Sequence, residues 1–478
     1  MKDYSKYFKG PSLKDARSRG RTEVRHLDDA FEIPADMVGI GKGQTYYIQT
    51  YGCQANERDT ETLSGILEMM GYTHTDEVKQ ADVVLLNTCA IRENAEEKVF
   101  GKIGYLKNIK KTRPNLIFGV CGCMAQEEVV VNKILEKFPQ VDLIFGTHNI
   151  HRLPVLLKQA MLEKELVLEV WSKEGDVIEN LPSHRANNYK AWVNIMYGCN
   201  KFCTYCIVPY TRGKERSREL EEIIKEVEEL KNSGYKEITL LGQNVNSYGK
   251  DLNNGTDFAT LLEAVAKTSI DRIRFTTSHP WDFNADMIDI IAKYDNIMPS
   301  IHLPVQSGND DVLQLMGRRY SKESYLKLFD MIKEKIPDCT VTTDIIVGFP
   351  NETDEQFEHT LDVVRYCKYD NAFTFIYSKR SGTPAAAMEQ VPEEIVKEGF
   401  NKLLKVVQET ARERVKRYEG MVMEALVEEQ NEQDASLLTG RLSNNTIVHF
   451  KGDTSLIGKI VNVKLNSCQG FYYLGELV

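Results

Sequence analysis

The sequence predicts an α/β chain in three parts: a parallel α/β sheet, a (βα)6 partial barrel and a small C-terminal β-barrel. Three observations predict it. Short β-rich runs alternate with helical stretches from Thr45 to about residue 415. That alternation is interrupted once, by a polar connection near residues 163–188. Beyond Met421 the chain turns to short β-rich segments with Gly and Asn turns and no helical pattern, as in a small barrel.

Composition sets the bounds. With 478 residues, 42% of them hydrophobic, the chain is long enough for two or three cores. No run of about 18 apolar residues appears, so no membrane-spanning helix is expected. The N-terminus lacks the apolar segment of a signal peptide. Ten cysteines without an export signal point to the cytoplasm and to metal ligation rather than disulfides. A net charge of −10 argues against a nucleic-acid coat over the whole surface and leaves room for a local basic face.

The elements follow in order. Residues 1–43 are a polar extension, with eight Lys or Arg and five Asp or Glu in the first 29; this balance suits an arm without a core. In residues 44–162 the runs TYYIQTYGC, DVVLLNTC and LIFGVCGC each end in a cysteine, and VDLIFGTHNI (141–150) is read as a fourth strand. DTETLSGILEMMGY, between the first two, has a helical pattern, whereas the segment from Arg92 reads as polar turns. Residues 185–415 hold the second series: AWVNIMYG, KEITLLGQN, RIRFTTSHP, MPSIHLPVQSG, TVTTDIIVGFP and NAFTFIYS. The helix after the first of these opens at Ser217 and stops at Gly234, a capping residue and a terminator. Residues 418–478 supply the β-barrel.

Cysteine spacing carries the chemistry. Cys199, Cys203 and Cys206 form a C-x3-C-x2-C loop after the first strand of the second series, the end at which βα-barrels do their chemistry. No second pair or His follows in the loop, so a closed zinc site is disfavoured. Three thiolates suit an iron–sulfur cluster with one iron left open. Cys53, Cys89 and Cys123 are 36 and 34 residues apart, about one βα unit each. Parallel neighbours would bring these strand ends together. Two readings are open for them: three separate buried cysteines, or a second cluster.

The loop around Cys199 resembles the cluster motif of the radical S-adenosylmethionine (SAM) superfamily. Taken with TYGCQANERDTE (50–61), NTCAIRENAEEKV (87–99), GCMAQ (122–126), LPVQSGND (303–310) and GFPNETDEQF (348–357), it makes the chain resemble the methylthiotransferases of that superfamily. The resemblance runs from about residue 44 to the C-terminus. It implies two [4Fe-4S] clusters, one on Cys53, Cys89 and Cys123 and one on Cys199, Cys203 and Cys206, with SAM on the open iron of the latter. GCMAQ aligns Cys123, not Cys121, with the third N-terminal ligand. The C-terminal barrel then corresponds to a tRNA-binding TRAM domain.

The implied activity is the addition of a methylthio group to carbon 2 of N6-isopentenyladenosine, next to the anticodon. The tRNA anticodon stem-loop would be the substrate and a flavodoxin or ferredoxin the reductant. The alternative is a sister methylthiotransferase acting on threonylcarbamoyladenosine or on an aspartate of a ribosomal protein. A plain two-cluster electron carrier would need no SAM, large barrel or RNA-binding domain. Ala55, Trp281 and Ser378-Lys379-Arg380 depart from the family pattern.

Other residues complete the picture. Gln243, Asn244, Ser307 and Gly308, with Asn246, fall at strand ends and are candidates for SAM contacts. His279 and His302 either line the same cavity or serve as structural hydrogen-bonding groups. Lys201, Arg212, Lys214, Arg216 and Arg218 cluster after the cysteine loop, as phosphate contacts beside the reacting base or as a solvated helix start. Six further basic residues lie within 402–417. Cys339, Cys367 and Cys468 lack cysteine neighbours at ligand spacing and are read as packing residues.

Overall fold

The computed structural model describes residues 26–27, 31–90, 93–163, 165–171 and 177–478, with side chains omitted at 26–27 and 93–96. Most of the polar extension therefore lies outside the described residues. The chain divides into two compact units. The first comprises the described residues through Ala186 with Met196–Phe202 and Cys206–Glu219; the second comprises Asn187–Ile195, Cys203–Tyr205 and Leu220–Val478.

The first unit is built on a six-stranded, all-parallel sheet. Its elements run β1 (Thr45–Tyr51), α1 (Gln54–Met69), β2 (Val83–Thr88), α2 (Glu93–Thr112), β3 (Ile117–Gly122), α3 (Glu128–Lys137), β4 (Leu143–Phe145), α4 (Leu153–Glu163) and β5 (Val167–Glu169). Thr73–His74 adds an edge strand beside β1. Strand β2 is buried along its whole length, the mark of a central parallel strand covered on both faces. One core packs Val84, Leu86, Val120 and Ile144 beneath α2 and α3. The other packs Leu63, Leu67, Leu85 and Leu143 with α1 and α4.

Three features differ from the sequence reading. The segment after Arg92 is a 20-residue helix, not turns. The predicted fourth strand stops at Phe145, and Thr147–Arg152 forms a 3-10 turn. The polar connection hides strand β5 and the two-residue strand Val177–Ile178, which pairs with His26–Leu27. Strands of two or three residues are too short to display an alternating pattern.

The second unit opens with β6 (Lys190–Asn194), α5 (Leu220–Asn232), β7 (Glu237–Leu241), α6 (Phe258–Lys267), β8 (Arg272–Phe275), α7 (Ala285–Lys293) and β9 (Ser300–His302). It continues with α8 (Asp310–Leu315), α9 (Lys322–Lys335), β10 (Thr340–Val347), α10 (Asp354–Cys367), β11 (Asn371–Ile376) and α11 (Glu393–Val415). Strands β6–β7–β8 and β9–β10–β11 form two parallel sheets, joined by a parallel bridge from Ile273 to Ile297. The predicted (βα)6 arc is thus present, each strand following its predecessor in space. Side-chain caps at Asp257, Asn284, Ser321 and Thr353 start four of its helices, each satisfying a backbone N–H that the helix cannot.

Five strands close the predicted β-barrel: β12 (Val422–Gln430), β13 (Leu437–Leu442), β14 (Ile447–Lys451), β15 (Ile460–Cys468) and β16 (Tyr472–Leu477), in the order β12-β13-β14-β16-β15. Its core includes Ala425, Leu442, Phe450, Val463 and Tyr473. Charged groups join the barrel to the arc. Arg272 donates to the Arg441 carbonyl at 2.9 Å, and Arg274 to those of Leu442 and Ser443 at 2.8 and 3.1 Å. Both arginines pair with Glu237. Glu428 of the barrel receives Arg441 and Lys190.

Candidate cysteine centres

The register of the first sheet decides how its cysteines meet. Tyr51 is opposite Thr88, and Thr88 opposite Gly122. Cys53, Cys89 and Cys123 therefore leave three adjacent strands one or two residues beyond a common level. This is the C-terminal edge of a parallel sheet, where α/β folds bind ligands.

Buried amides weld the edge. Asn56 donates to Asn87 Oδ1 and to the Thr88 carbonyl at 3.2 and 3.1 Å, and Asn87 returns a bond to the Asn56 carbonyl at 2.8 Å. Thr88 Oγ1 donates to the Cys121 carbonyl at 2.6 Å. Gly122 sits at φ +91°, and a Cβ there would lie 2.4 Å from Asn87 Oδ1. Only glycine fits, so the chain turns tightly and delivers Cys123.

The three thiols differ in environment. Cys53 stands at the N-terminus of α1, where the helix dipole favours a thiolate. A hydrogen bond with Cys89 chiefly holds its pKa below the usual thiol range, with help from Arg212 and the Asn56 and Ala55 amides. Burial pushes Cys123 up, against the opposing effect of Arg212. Cys123 packs with Ala90, Ile207 and Tyr210. Cys121 belongs instead to the core with Tyr46, Leu85 and Leu143, and burial holds it protonated.

Arg212 completes this centre. Its Nε donates to Cys123 Sγ at 3.2 Å, and its Nη2 pairs with Asp59 at 2.7 Å. Burial opposes the charge, but Asp59, Cys123 and Cys53 hold the guanidinium pKa well above its ordinary value. Arg212 was expected among the phosphate contacts, and the structure turns it inward. Arg218 is likewise buried and paired with Glu179 at 2.6 Å. Arg216 lies over the Tyr197 ring, Lys214 is buried, and Lys201 is half-buried.

The second cysteine loop is closed at its base. Met196–Tyr197 pairs antiparallel with Arg216–Ser217, Cys199 N–H donates to the Gly213 carbonyl at 3.0 Å, and Asn200 exchanges bonds with Glu215. Gly198 holds φ +73°, with no room for a Cβ against the Lys214 carbonyl. Cys199 and Cys206 belong to the first unit and Cys203 to the second. In the second unit, Arg318 donates to Cys203 Sγ at 3.5 Å and to the Pro304 carbonyl at 3.1 Å.

The predicted SAM-contact residues lie beyond the C-terminal ends of arc strands. Asn244 donates to Ser247 and Asp282 at 2.6 and 2.7 Å. Thr360 binds Gly308 N–H at 2.8 Å and faces Ser307 Oγ at 3.3 Å. Gln243 is half-buried. Asn246 accepts from His279 N–H, and His302 is held between Thr342 and Asp344. Asp59, Asn56, Asn87, Asp282 and Arg318 escaped the sequence reading. The partners described here lie 14 to 153 residues away, although NERD and NTC flank the thiols directly.

The donor set fits an iron–sulfur cluster better than a single ion. Among the described residues no three His, Cys, Asp or Glu side chains close around one metal. A cluster takes its thiolates on separate irons, and three thiols leaving adjacent strand ends are suited to that arrangement. Among the described residues no helix is long and apolar enough to cross a membrane.

Comparison with known proteins agrees with this architecture. Residues 45–146 match the model of the uncharacterized protein family UPF0004, residues 193–364 the radical SAM superfamily and residues 416–478 the TRAM domain. A Geobacillus thermodenitrificans (strain NG80-2) protein named tRNA-2-methylthio-N(6)-dimethylallyladenosine synthase is 57% identical, covering 100% of this chain and 92% of the relative. Proteins of that name from Bacillus subtilis (strain 168) and Staphylococcus epidermidis (strain ATCC 12228 / FDA PCI 1200) are 56% and 55% identical over 100% of the chain, and 95% and 94% of their own lengths. Among solved structures, the radical SAM methyltransferase TsrM from Kitasatospora setae shares the fold, with a TM-score of 0.53 at 13% identity over 72% of this chain and 75% of that one.

Proposed function

Because the chain belongs to the family of tRNA-2-methylthio-N(6)-dimethylallyladenosine synthases, which are radical SAM tRNA methylthiotransferases, we propose the following reaction. The protein exchanges the hydrogen on carbon 2 of an N6-isopentenylated adenosine, immediately 3′ of the anticodon, for a methylthio group. The observation that carries this reading is the convergence of Cys53, Cys89 and Cys123 on one sheet edge. An enzyme that only cleaved SAM would not need that second thiol set.

When bound, a [4Fe-4S] cluster on Cys199, Cys203 and Cys206 supplies SAM-derived radical chemistry for an unactivated C–H bond, and a second on Cys53, Cys89 and Cys123 supplies a station for sulfur. The chain's own residues prepare these sites. Cys89 and the start of α1 favour ionisation of Cys53. Ala90, Ile207 and Tyr210 pack around Cys123 and exclude water. Asn244, fixed by Asp282, and Ser307 with Gly308, fixed by Thr360, present polar groups suited to SAM. Lys201, the half-buried member of the basic run, is the candidate for phosphates of the anticodon stem-loop; Lys214 and Arg216 are buried like Arg212 and Arg218. The C-terminal barrel is the tRNA-binding module. The target base leaves its stack to react.

Electrons come from a flavodoxin or ferredoxin, and the reaction takes place in the cytoplasm. Mass analysis of tRNA nucleosides from cells with and without the protein tests the reading. The 2-methylthio derivative of isopentenyladenosine should vanish in its absence. Loss of a methylthio derivative of threonylcarbamoyladenosine instead, or of methylthio-aspartate in a ribosomal protein, would overturn the assignment in favour of a sister enzyme.

A further inference from the structure

The Arg212 guanidinium reaches into the N-terminal thiol centre, yet it is carried by the chain segment that begins with the other cysteine loop. It lies six residues after Cys206. Its guanidinium touches Cys123 at 3.2 Å and Asp59 at 2.7 Å. Ala90, Ile207 and Tyr210 pack against Cys123, and Arg212 itself is buried. A buried cation in such a place is costly unless its partners are anionic. Asp59 supplies one anion. The thiol centre supplies the rest.

Resting on the two-cluster reading above, we propose that Arg212, held by Asp59, is the charge-setting positioning residue of the Cys53–Cys89–Cys123 centre. The physical argument is direct. Hydrogen bonds to cysteine sulfur and net local charge are the protein's main means of tuning an iron–sulfur potential. A fixed cation beside Cys123 stabilises the more negative, reduced state and raises the potential. Asp59 opposes it at close range, so the two side chains act with opposite sign. Burial of Arg212, Asp59 and Cys123 weakens dielectric screening and enlarges both effects. Guanidinium is also less strongly hydrated than ammonium and aims its donors along a fixed plane, which suits a contact to sulfur in a dry pocket. The short segment from Cys199 to Ser217 thereby serves both thiol sets, binding iron with its first part and tuning the other centre with Arg212.

The test uses the full chain with Cys199, Cys203 and Cys206 replaced by Ala, so that only the N-terminal centre is read after anaerobic reconstitution with iron and sulfide. Arg212→Gln should lower its midpoint potential in an EPR-monitored redox titration by about 59 mV, a tenfold shift in the reduced-to-oxidised ratio for one electron. Asp59→Asn should shift it upward. Arg212→Lys should keep the charge and most of the potential. A residue that merely packed would give no opposite signs. If Arg212→Gln prevents cluster assembly, Arg212→Lys must restore iron and potential together; failure to do so overturns the proposal. An unchanged potential in Arg212→Gln, or shifts of the same sign in both variants, also overturns it. Absence of iron from the parent triple variant would instead overturn the two-cluster reading.

Discussion

Four buried arginines fall into two kinds, and the contrast separates a chemical site from a joint. Arg272 and Arg274 are at least as buried as Arg212 and Arg318. The first pair donates to main-chain carbonyls of residues 441–443 and shares Glu237. Main-chain carbonyls neither ionise nor bind the iron of a cluster as thiolates do, and Glu237 serves as a counter-charge. The second pair points at sulfur: Arg212 at Cys123 and Arg318 at Cys203. A thiol can ionise, bind metal or be oxidised. Burial of a charge alone therefore does not mark function; the nature of its partner does.

The sharpest way to break this contrast is at the sulfur. Cys123→Ala should abolish the N-terminal cluster and all methylthio product while 5′-deoxyadenosine formation from SAM continues. Iron and sulfide analysis, with both product assays, checks it. Normal product from this variant would leave Arg212 beside a merely structural thiol and collapse the two kinds into one.

The joint should answer differently. Arg274→Ala removes a buried partner of Glu237 and two donors to the barrel, and should cost about 3–5 kcal/mol. Urea unfolding reads this as a lower midpoint, while iron per folded chain stays unchanged. Loss of iron without loss of stability would assign Arg274 to the chemistry. The same joint bears on the barrel's role in tRNA binding. Cutting near Gly420 would strip the carbonyl partners from Arg272 and Arg274, so point substitutions are the cleaner probe.

The sequence makes one half of this contrast readable and hides the other. The C-x3-C-x2-C loop is local, and its spacing alone suggests a cluster. Cys53, Cys89 and Cys123 are remote, but regular βα spacing predicts their common edge, and the register of Tyr51, Thr88 and Gly122 delivers it. The arginines carry no such period. Arg212 sits in a basic run that reads as a phosphate-binding face, and only the fold reveals that Asp59, 153 residues earlier, draws it inward. Arg272 and Arg274 alternate along β8 like ordinary strand residues. Their partners lie in a barrel whose docking no short pattern encodes.

The smallest expected effect tests how finely the thiol site is drawn. Cys121 and Cys123 are two residues apart, and in a regular strand they would share a face. The strand ends at Gly122, whose φ of +91° turns the chain. Cys121 consequently faces the core of Tyr46, Leu85 and Leu143, whereas Cys123 packs with Ala90, Ile207 and Tyr210 and touches Arg212. Cys121→Ala should therefore cost only the packing of one sulfur, about 1 kcal/mol, with full iron content and most methylthio activity kept. Thermal unfolding and iron analysis of the two single variants read the difference side by side. Cluster loss in Cys121→Ala with retention in Cys123→Ala would mean that the sulfur facing the core is the ligand, and Arg212 would then guard the wrong thiol.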